Sequence, residues 1–487
     1  MTQLCTRLLP YHSGILYFER LRHLDAPVLL DSGKPDSPSG RYDIVAAQPI
    51  EKIYYHIEPL YSGISIDGIG HSLSQLKQRL DHFSGQYKAT ASSKILSDLP
   101  FLGGFIGGLS YDLGRELESL PSQAVSDNNL PVIIGGIYQW AVIVDHQQQQ
   151  AHLVAPTDQI EHLESLCGQS TDRVTDSSTE PSPPFSSKKA SLPFKLKQGF
   201  RANLTWPEYQ ARFDKIMAYI RAGDCYQINF AQRFKAISEG DSWQAYLKMR
   251  AATPAPFSAY LDFDSFKILS VSPERFMQLR ANQVETKPIK GTAPRSADNK
   301  EDQKIAKQLQ ASRKDRAENL MIVDLLRNDL GRVCKTGSVN VPALFALESY
   351  ANVHHLVSTV TGELPEEKDA VDLLAASFPG GSITGAPKIR AMTIIDELEP
   401  QRRAIYCGSI AYISFNGQMD SSITIRTLLE SRQVNPQSGM QESYLECWGG
   451  GGIVYDSEAA SEYQETLHKV GKILQAIQPD FLESFQR

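Results

Sequence analysis

The chain has little of what marks a secreted, membrane-spanning or nucleic-acid-binding protein. Its 487 residues include six cysteines, at positions 5, 167, 225, 334, 407 and 447. These are scattered and form no Cys-x-x-Cys pair, which argues against a disulfide framework or a zinc site and makes a reducing cytoplasm the expected location. No apolar run approaches the length of a membrane span. The opening residues, Met1-Thr-Gln-Leu-Cys-Thr-Arg7, lack the apolar core of a signal peptide. Positive charge is not in excess either: a formal net charge of −7 argues against nucleic acid or an anionic membrane as the main partner. Three catalytic signatures are also missing: a Gly-Lys-Ser/Thr phosphate loop, a Gly-x-Ser-x-Gly elbow and a His-Glu-x-x-His metal helix.

What remains is a chain of ordinary globular composition, 41% hydrophobic and 22% charged, and too long for one ordinary core. Residues from about 157 to 198 are rich in Ser, Thr, Pro, Lys and Asp, and include Thr175-Asp-Ser-Ser-Thr-Glu-Pro-Ser-Pro-Pro184. Such a stretch buries little, so a polar linker or disordered loop is expected there. It separates an N-terminal subdomain, 1–156, from a larger domain, 199–487. The first part holds short β-like runs at 27–30, 42–46, 52–57 and 137–144. The second opens with a helix pattern from Glu208 to Ala222, ended by Gly223. Strand-like runs follow at 259–263, 267–271, 275–279 and 283–286, then helices over 298–311, 313–330 and 386–397. Strands return at 404–414, 420–429 and 443–448, before a last helix over 457–477. Blocks of strands alternating with blocks of helices predict an α+β fold, with large antiparallel β-sheets packed as a sandwich-like core and helices outside.

Several segments carry residues suited to chemistry. In Glu285-Thr-Lys-Pro-Ile-Lys-Gly-Thr-Ala-Pro-Arg295, Pro288 and Gly291 bracket Lys290, so the backbone turns where the amine is presented. A lone lysine is ordinarily a solvated surface residue; beside a pocket that lowers its pKa, it can be a nucleophile. Trp448-Gly-Gly-Gly-Gly-Ile-Val454 is costly in backbone entropy, but lets amides approach a ligand closely. Asp456-Ser457 offers an N-cap for the helix that follows. Along it Glu458, Glu462, Glu465 and Lys469 are spaced by four, three and four, which puts them on one face. By itself that face reads as a solvated one with a Glu465–Lys469 pair. A second acidic helix carries Asp315, Glu318, Asp324 and Asp329, and its apolar stretch from Leu320 to Leu326 is expected to be buried. Carboxylates from two helices, with no cysteine or histidine cluster, favour Mg²⁺.

Phe378-Pro-Gly-Gly-Ser-Ile-Thr-Gly-Ala-Pro-Lys388 reads as a turn that starts a helix, with Lys388 on the helix surface. His354-His355 lies in an apolar, strand-like setting, where a packed histidine is commoner than a catalytic one. Glu274 follows Ser272-Pro273.

Taken together these segments resemble the chorismate-utilising enzymes, over nearly all of residues 200–475. The pieces that carry the resemblance are Pro288-Ile-Lys-Gly-Thr292, Asp315–Asp329, His354-His-Leu-Val-Ser358, Phe378–Lys388, Ser422-Ile-Thr-Ile-Arg-Thr427 and Gly449–Lys469. Within the family, alanine before Gly-Thr resembles the anthranilate synthases, whereas the lysine found here resembles the branch that aminates chorismate at C4. The resemblance implies that Lys290 is the nucleophile, Glu274 the general acid and His355 the family's histidine. It implies that Glu318, Glu465 and Glu462 hold Mg²⁺. It further implies that Tyr406, Arg426, Thr384, Lys469 and the backbone of Gly449, Gly450, Gly451 and Gly452 bind substrate. Leu29-Leu-Asp-Ser32, Arg41-Tyr-Asp-Ile-Val45, Gly223-Asp-Cys-Tyr-Gln-Ile-Asn229 and Pro254-Ala-Pro-Phe257 resemble the segments of a tryptophan pocket, which implies a site built from Ser32, Tyr42, Tyr226, Asn229, Pro254 and Phe257.

No segment resembles a glutaminase, so ammonia is expected either free or from a separate glutamine amidotransferase subunit in a heterodimer. Two other readings stay open: an anthranilate synthase component I, and a tryptophan-binding regulatory subunit without activity.

Overall fold

The computed structural model describes residues 2–485, apart from 38–39, 58–68, 90–95, 97, 169–191, 297, 350–352 and 436–438. Most of the expected linker therefore lies outside the described residues. At its described ends, Ile160–Gly168 is a helix and Lys195 opens a strand.

Two large sheets form the core, of thirteen and ten strands among the described residues. Nearly every pairing is antiparallel; Thr2–Leu9 with Tyr87–Ala89 is parallel. The first sheet runs through Gln227–Glu239, Gln441–Ile453, Thr427–Val434, Phe266–Ser272, Phe257–Phe263, Val28–Asp31 and Tyr42–Ala46 to Ala141–Asp145 and beyond. The second runs from Ile289–Pro294 through Val353–Glu363, Gln283–Thr286, Arg275–Arg280, Met419–Ile423 and Ser409–Ser414 to Gly104–Leu109, Ile133–Tyr138 and Glu51–Tyr55. Strands from residues 1–156 and from residues 199–487 share both sheets. The sheets face one another closely: a Cβ on Gly108 of the second would meet Ile268 Cδ1 of the first at 2.9 Å. The architecture is the expected α+β one.

Helices cover the outside. Gly14–Leu21, Ser242–Ala252 and the C-terminal helix Ala459–Gln475 bury Phe18, Trp243, Tyr246, Leu467, Val470, Ile473 and Leu474 in one cluster with the first sheet. Each such large apolar side chain contributes roughly 1.5–3 kcal/mol when fully buried. Trp206–Ala222 starts at a capping box between Thr205 and Glu208 and stops at Gly223, whose φ of 82° is the left-handed conformation glycine tolerates best. The acidic helix Arg313–Gly331 buries Ile322, Val323 and Leu326, but leaves Leu320 45% exposed, so its apolar stretch is only partly covered. No described helix is long and apolar enough to cross a membrane.

The structure redraws several expected elements. The run 137–144 is two strands, Ile133–Tyr138 in the second sheet and Ala141–Asp145 in the first. Likewise 420–429 divides into Met419–Ile423 and Thr427–Val434, one in each sheet. The strand expected at 443–448 runs on to Ile453 and takes in all four glycines. The last helix is capped by Glu458 rather than by Asp456 or Ser457. Lys388 does not lie free on a helix surface: its amine pairs with Asp329 at 2.7 Å and also donates to the Ser377 carbonyl.

Candidate active site

The candidate residues gather where strands leave one sheet for the other. Phe266–Ser272 belongs to the first sheet and Arg275–Arg280 to the second, with Pro273 and Glu274 at the crossing. Met419–Ile423 and Thr427–Val434 cross beside them, with Arg426 at the bend. The registers Ser270 with Thr427 and Arg275 with Ser422 hold the two crossings together. So do bonds from the Ile423 amide to the Glu274 carbonyl (3.0 Å) and from the Val271 amide to the Arg426 carbonyl (3.1 Å). The backbone at Arg426 has a φ of 51°, which is costly for a non-glycine residue and turns its side chain out of the strand.

Lys290 stands on Ile289–Pro294, whose pairing with Val353–Glu363 slips between Ile289 and Thr292. Such an irregularity re-aims a side chain. Gly291, at φ 83°, makes the turn; a Cβ there would press on Asp315 at 3.0 Å. The Lys290 residue keeps some exposed surface, but its amine is enclosed and donates to the Ser382 carbonyl at 3.1 Å. Burial pushes this amine below the ordinary lysine value, while neighbouring Glu274 pulls it back up and Lys469 pushes it down. Glu274 accepts from the Ser382 hydroxyl at 2.9 Å. Its burial raises the carboxyl above the usual range, against the opposing effects of Lys290 and Ser382. Burial thus moves both groups towards the neutral forms that a nucleophilic amine and a general acid require.

The four glycines are explained by what lies over them. They pair with Gln232, Ala231, Phe230 and Asn229 of the neighbouring strand, and Thr427–Val434 on the other side reaches no further than Cys447. A Cβ on Gly449 would meet the Thr466 carbonyl of the C-terminal helix at 2.4 Å. On Gly451 it would meet Glu462 Oε2 at 3.0 Å and Glu465 Oε1 at 3.3 Å. The bare strand is what allows the helix and its carboxylates to come down onto the sheet. On Gly450 a Cβ would meet the Tyr406 hydroxyl at 2.8 Å, and Gly452 lies under Gln227. Lys469 donates to the Gly450 carbonyl at 2.9 Å and pairs with Glu465 at 2.6 Å.

Glu462 takes a bond from Ser457 through Oε1, but its buried Oε2 has no hydrogen-bond partner among the described residues. Burial raises the Glu462 carboxyl, and that of Glu318 as well. Glu318, on the acidic helix, interacts electrostatically with Lys290 and Glu465. Among the described residues no three His, Cys, Asp or Glu side chains stand close enough to form a closed metal cage. An orphaned buried carboxylate oxygen next to Glu465, with Glu318 nearby, suits a hard cation that keeps several waters.

Arg426 is enclosed without a carboxylate partner among the described residues, and burial lowers its pKa. A buried guanidinium in that state is set to receive an anion. His355 accompanies it along a cavity of about 210 Å³ that Lys469 also lines. Burial, with Arg426 nearby, pushes His355 down to about 4, so its ring is neutral at neutral pH. His355 Nδ1 and Thr292 Oγ1 share a 2.8 Å hydrogen bond. His354 instead joins Asp302 (3.1 Å) and Ser349 (2.7 Å), a packing role. Tyr406 is buried and stacked on Trp448. Thr384 lies beneath the site with its hydroxyl engaged by the Gly380 carbonyl at 3.1 Å, while its own carbonyl accepts from the Asn229 amide.

The six residues expected to form a tryptophan pocket do not come together. Tyr42 and Phe257 line a cavity of about 380 Å³ with Asp31 and Arg280. Ser32 is turned to Asp43, and Pro254 lines the smaller cavity beside Arg426. The register of Gln227–Glu239 carries Asn229 to Gly452 and leaves Tyr226, just before it, 69% exposed. Sequence reasoning also passed over Ser382, although it stands in the Phe378–Lys388 segment; a serine following Pro-Gly-Gly was the available signal.

A family profile described as chorismate binding enzyme matches residues 28–475. Aminodeoxychorismate synthase component 1 of Klebsiella aerogenes is 47% identical over 465 residues, which cover 95% of this chain and 96% of that protein. The protein of the same name in Escherichia coli K12 is 47% identical over 465 residues, covering 95% of each. Among solved structures, anthranilate synthase component I from Streptococcus pneumoniae superposes with a TM-score of 0.71 at 28% identity, covering 90% of this chain and 92% of that one.

Proposed function

The chain belongs to the chorismate-binding enzyme family, and from that premise we propose that it adds ammonia to C4 of chorismate, giving 4-amino-4-deoxychorismate for 4-aminobenzoate and folate synthesis. The observation that carries the reading is the enclosed amine of Lys290, held next to Glu274 through Ser382. Direct displacement at C4 is difficult because hydroxide is a poor leaving group. In this reading the neutral Lys290 amine forms a bond to C2, the double bond shifts, and the C4 hydroxyl leaves as water with the Glu274 proton. Ammonia then adds at C4, the double bond shifts back, and the C2–N bond breaks to return Lys290 as a neutral amine. The new C4 ammonium gives its extra proton to Glu274. Chorismate and ammonia have become product and water, with the enzyme restored.

In this reading Arg426 and Tyr406 hold the enolpyruvyl carboxylate; what supports it for Arg426 is a guanidinium with no carboxylate partner among the described residues. Glu318, Glu465 and Glu462 would hold Mg²⁺, whose charge stabilises a substrate carboxylate when bound. Neutral His355 orients on Thr292 and is not needed as a base, because no aromatising elimination occurs. Ammonia comes, in this reading, from a separate glutamine amidotransferase subunit, consistent with relatives named component 1. In this reading bound tryptophan occupies the cavity of about 380 Å³ lined by Tyr42 and Phe257, two of the six residues expected for it.

The likeness to an anthranilate synthase component I supports a second reading, amination at C2. One assay separates them: purified protein with chorismate, Mg²⁺ and ammonium salt at alkaline pH. Formation of 4-aminobenzoate only after a lyase is added supports amination at C4. Direct appearance of anthranilate fluorescence overturns it. Tryptophan binding without turnover would leave only a regulatory role.

A further inference from the structure

We propose that the cavity beside Arg426 continues outward as a cationic vestibule, with Lys472 at its rim, that draws a substrate bearing two carboxylates into the site. This rests on the reading of chorismate as substrate. The cavity, about 210 Å³, is walled by Pro254, Pro256 and Pro273 and joins Arg426 and His355 on the inside to Lys469 and Lys472 on the outside. Lys469 and Lys472 stand one turn apart on the C-terminal helix. Lys469 is already committed to Glu465 and the Gly450 carbonyl. Lys472 is exposed and has no ion pair among the described residues, and neither has the enclosed Arg426. Among the described residues one carboxylate also lines the space, Asp36, and it leans towards Arg250 at 3.9 Å.

The chain as a whole is acidic, with a net charge of −7, so its mean field repels a dianion. A local row of positive charge leading to an unpaired guanidinium reverses that repulsion at one place, and low-dielectric walls of proline focus it. A lysine in the last turn of a helix also suits the helix dipole. That role alone would affect stability, leaving substrate affinity and its salt dependence unchanged.

The test measures chorismate affinity by calorimetric titration and kcat/KM by turnover, across ionic strength, for the wild type, Lys472→Gln, Lys472→Glu and the control Lys197→Gln. Lys197, on the strand Lys195–Ala202, carries the same charge but pairs with Glu239 of the neighbouring strand and does not line the vestibule. Lys472→Gln is expected to weaken affinity and kcat/KM roughly three- to ten-fold at low salt, and Lys472→Glu more. The variants should converge on the wild type at about 0.5 M salt, and the control should follow the wild type throughout. Equal affinity and equal salt slope in all four proteins overturn the vestibule. Chorismate binding without amination overturns the proposed reaction instead, and the affinity series still decides the vestibule.

Discussion

Lys290 and Glu274 are held by opposite ends of one residue: the lysine amine bonds to the Ser382 carbonyl at 3.1 Å, and the Ser382 hydroxyl bonds to the glutamate at 2.9 Å. The hydroxyl stabilises the charged carboxylate, so removing it raises the Glu274 pKa further. Ser382→Ala is therefore expected to lower kcat about ten-fold, to leave KM for chorismate little changed, and to move the limb of the pH–rate profile that reports the acid towards higher pH. An unshifted profile would detach Ser382 from Glu274.

Lys290 itself can be tested against a purely electrostatic role. Lys290→Arg keeps the cation but cannot supply a neutral amine near neutral pH. Both Lys290→Ala and Lys290→Arg are expected to lose roughly a thousand-fold or more in ammonia-dependent turnover. Mass spectrometry of wild-type protein quenched during turnover should find a chorismate-derived adduct on Lys290. Substantial activity in the arginine variant would show that the charge, and not the nucleophile, is required.

The glycine strand offers two substitutions with different expected failures. A methyl on Gly449 meets the backbone carbonyl of Thr466 at 2.4 Å, which cannot move without the helix. Gly449→Ala should cost about 2 kcal/mol in urea unfolding. A methyl on Gly451 meets instead the ends of two carboxylate side chains, at 3.0 and 3.3 Å. Gly451→Ala should fold nearly as well as the wild type, but need roughly ten-fold more Mg²⁺ for half-maximal activity. If the two variants fail alike, the carboxylates over Gly451 are not metal ligands.

The contrast between these glycines also shows where sequence reading stopped. The spacing of Glu462, Glu465 and Lys469 puts those three on one helix face, as expected, whereas Glu458 is the extended N-cap and stands outside the helix; Lys290 stands out beside Gly291. The four glycines read as backbone open to a ligand beyond the end of a strand, because glycine disfavours a strand unless something must approach it closely; the approaching helix is a tertiary fact. The same limit applies at Gln139–Trp140 and Thr424–Arg426. Neither crossing holds a glycine or proline, and the strands on either side are largely buried on both faces, so no turn residue or polar alternation marks the change of sheet. Yet such a crossing presents Arg426, and a similar one presents Glu274. Tyr226 and Asn229 were misplaced for a related reason: their neighbours are set by the pairing register of Gln227–Glu239, a strand the sequence pattern had not revealed.

Away from the substrate, Lys388 and Asp329 form a buried pair at 2.7 Å that ties the helix Lys388–Leu398 to the acidic helix. Lys388→Met strands the aspartate, whose carboxyl burial already raises. The expected cost is about 3–5 kcal/mol. Adding Asp329→Asn should recover much of it, and a double-mutant cycle by chemical unfolding measures the recovery. Additive losses would indicate that the two side chains are not coupled.

His355 links the same site to acid stability. Its folded-state pKa, about 4, lies below the roughly 6.5 of an unfolded histidine, so the folded protein binds fewer protons. Stability from this group is complete above the unfolded value and is lost as pH falls from about 6.5 towards about 4. Between about pH 7.5 and about pH 5 the loss should be roughly 2 kcal/mol. His355→Gln removes the titrating ring, so its unfolding free energy should fall by that much less over the same interval, whatever the substitution costs at neutral pH. Urea unfolding of both proteins at the two pH values checks this. Parallel acid losses would mean that His355 takes up a proton in the folded state as readily as in the unfolded chain.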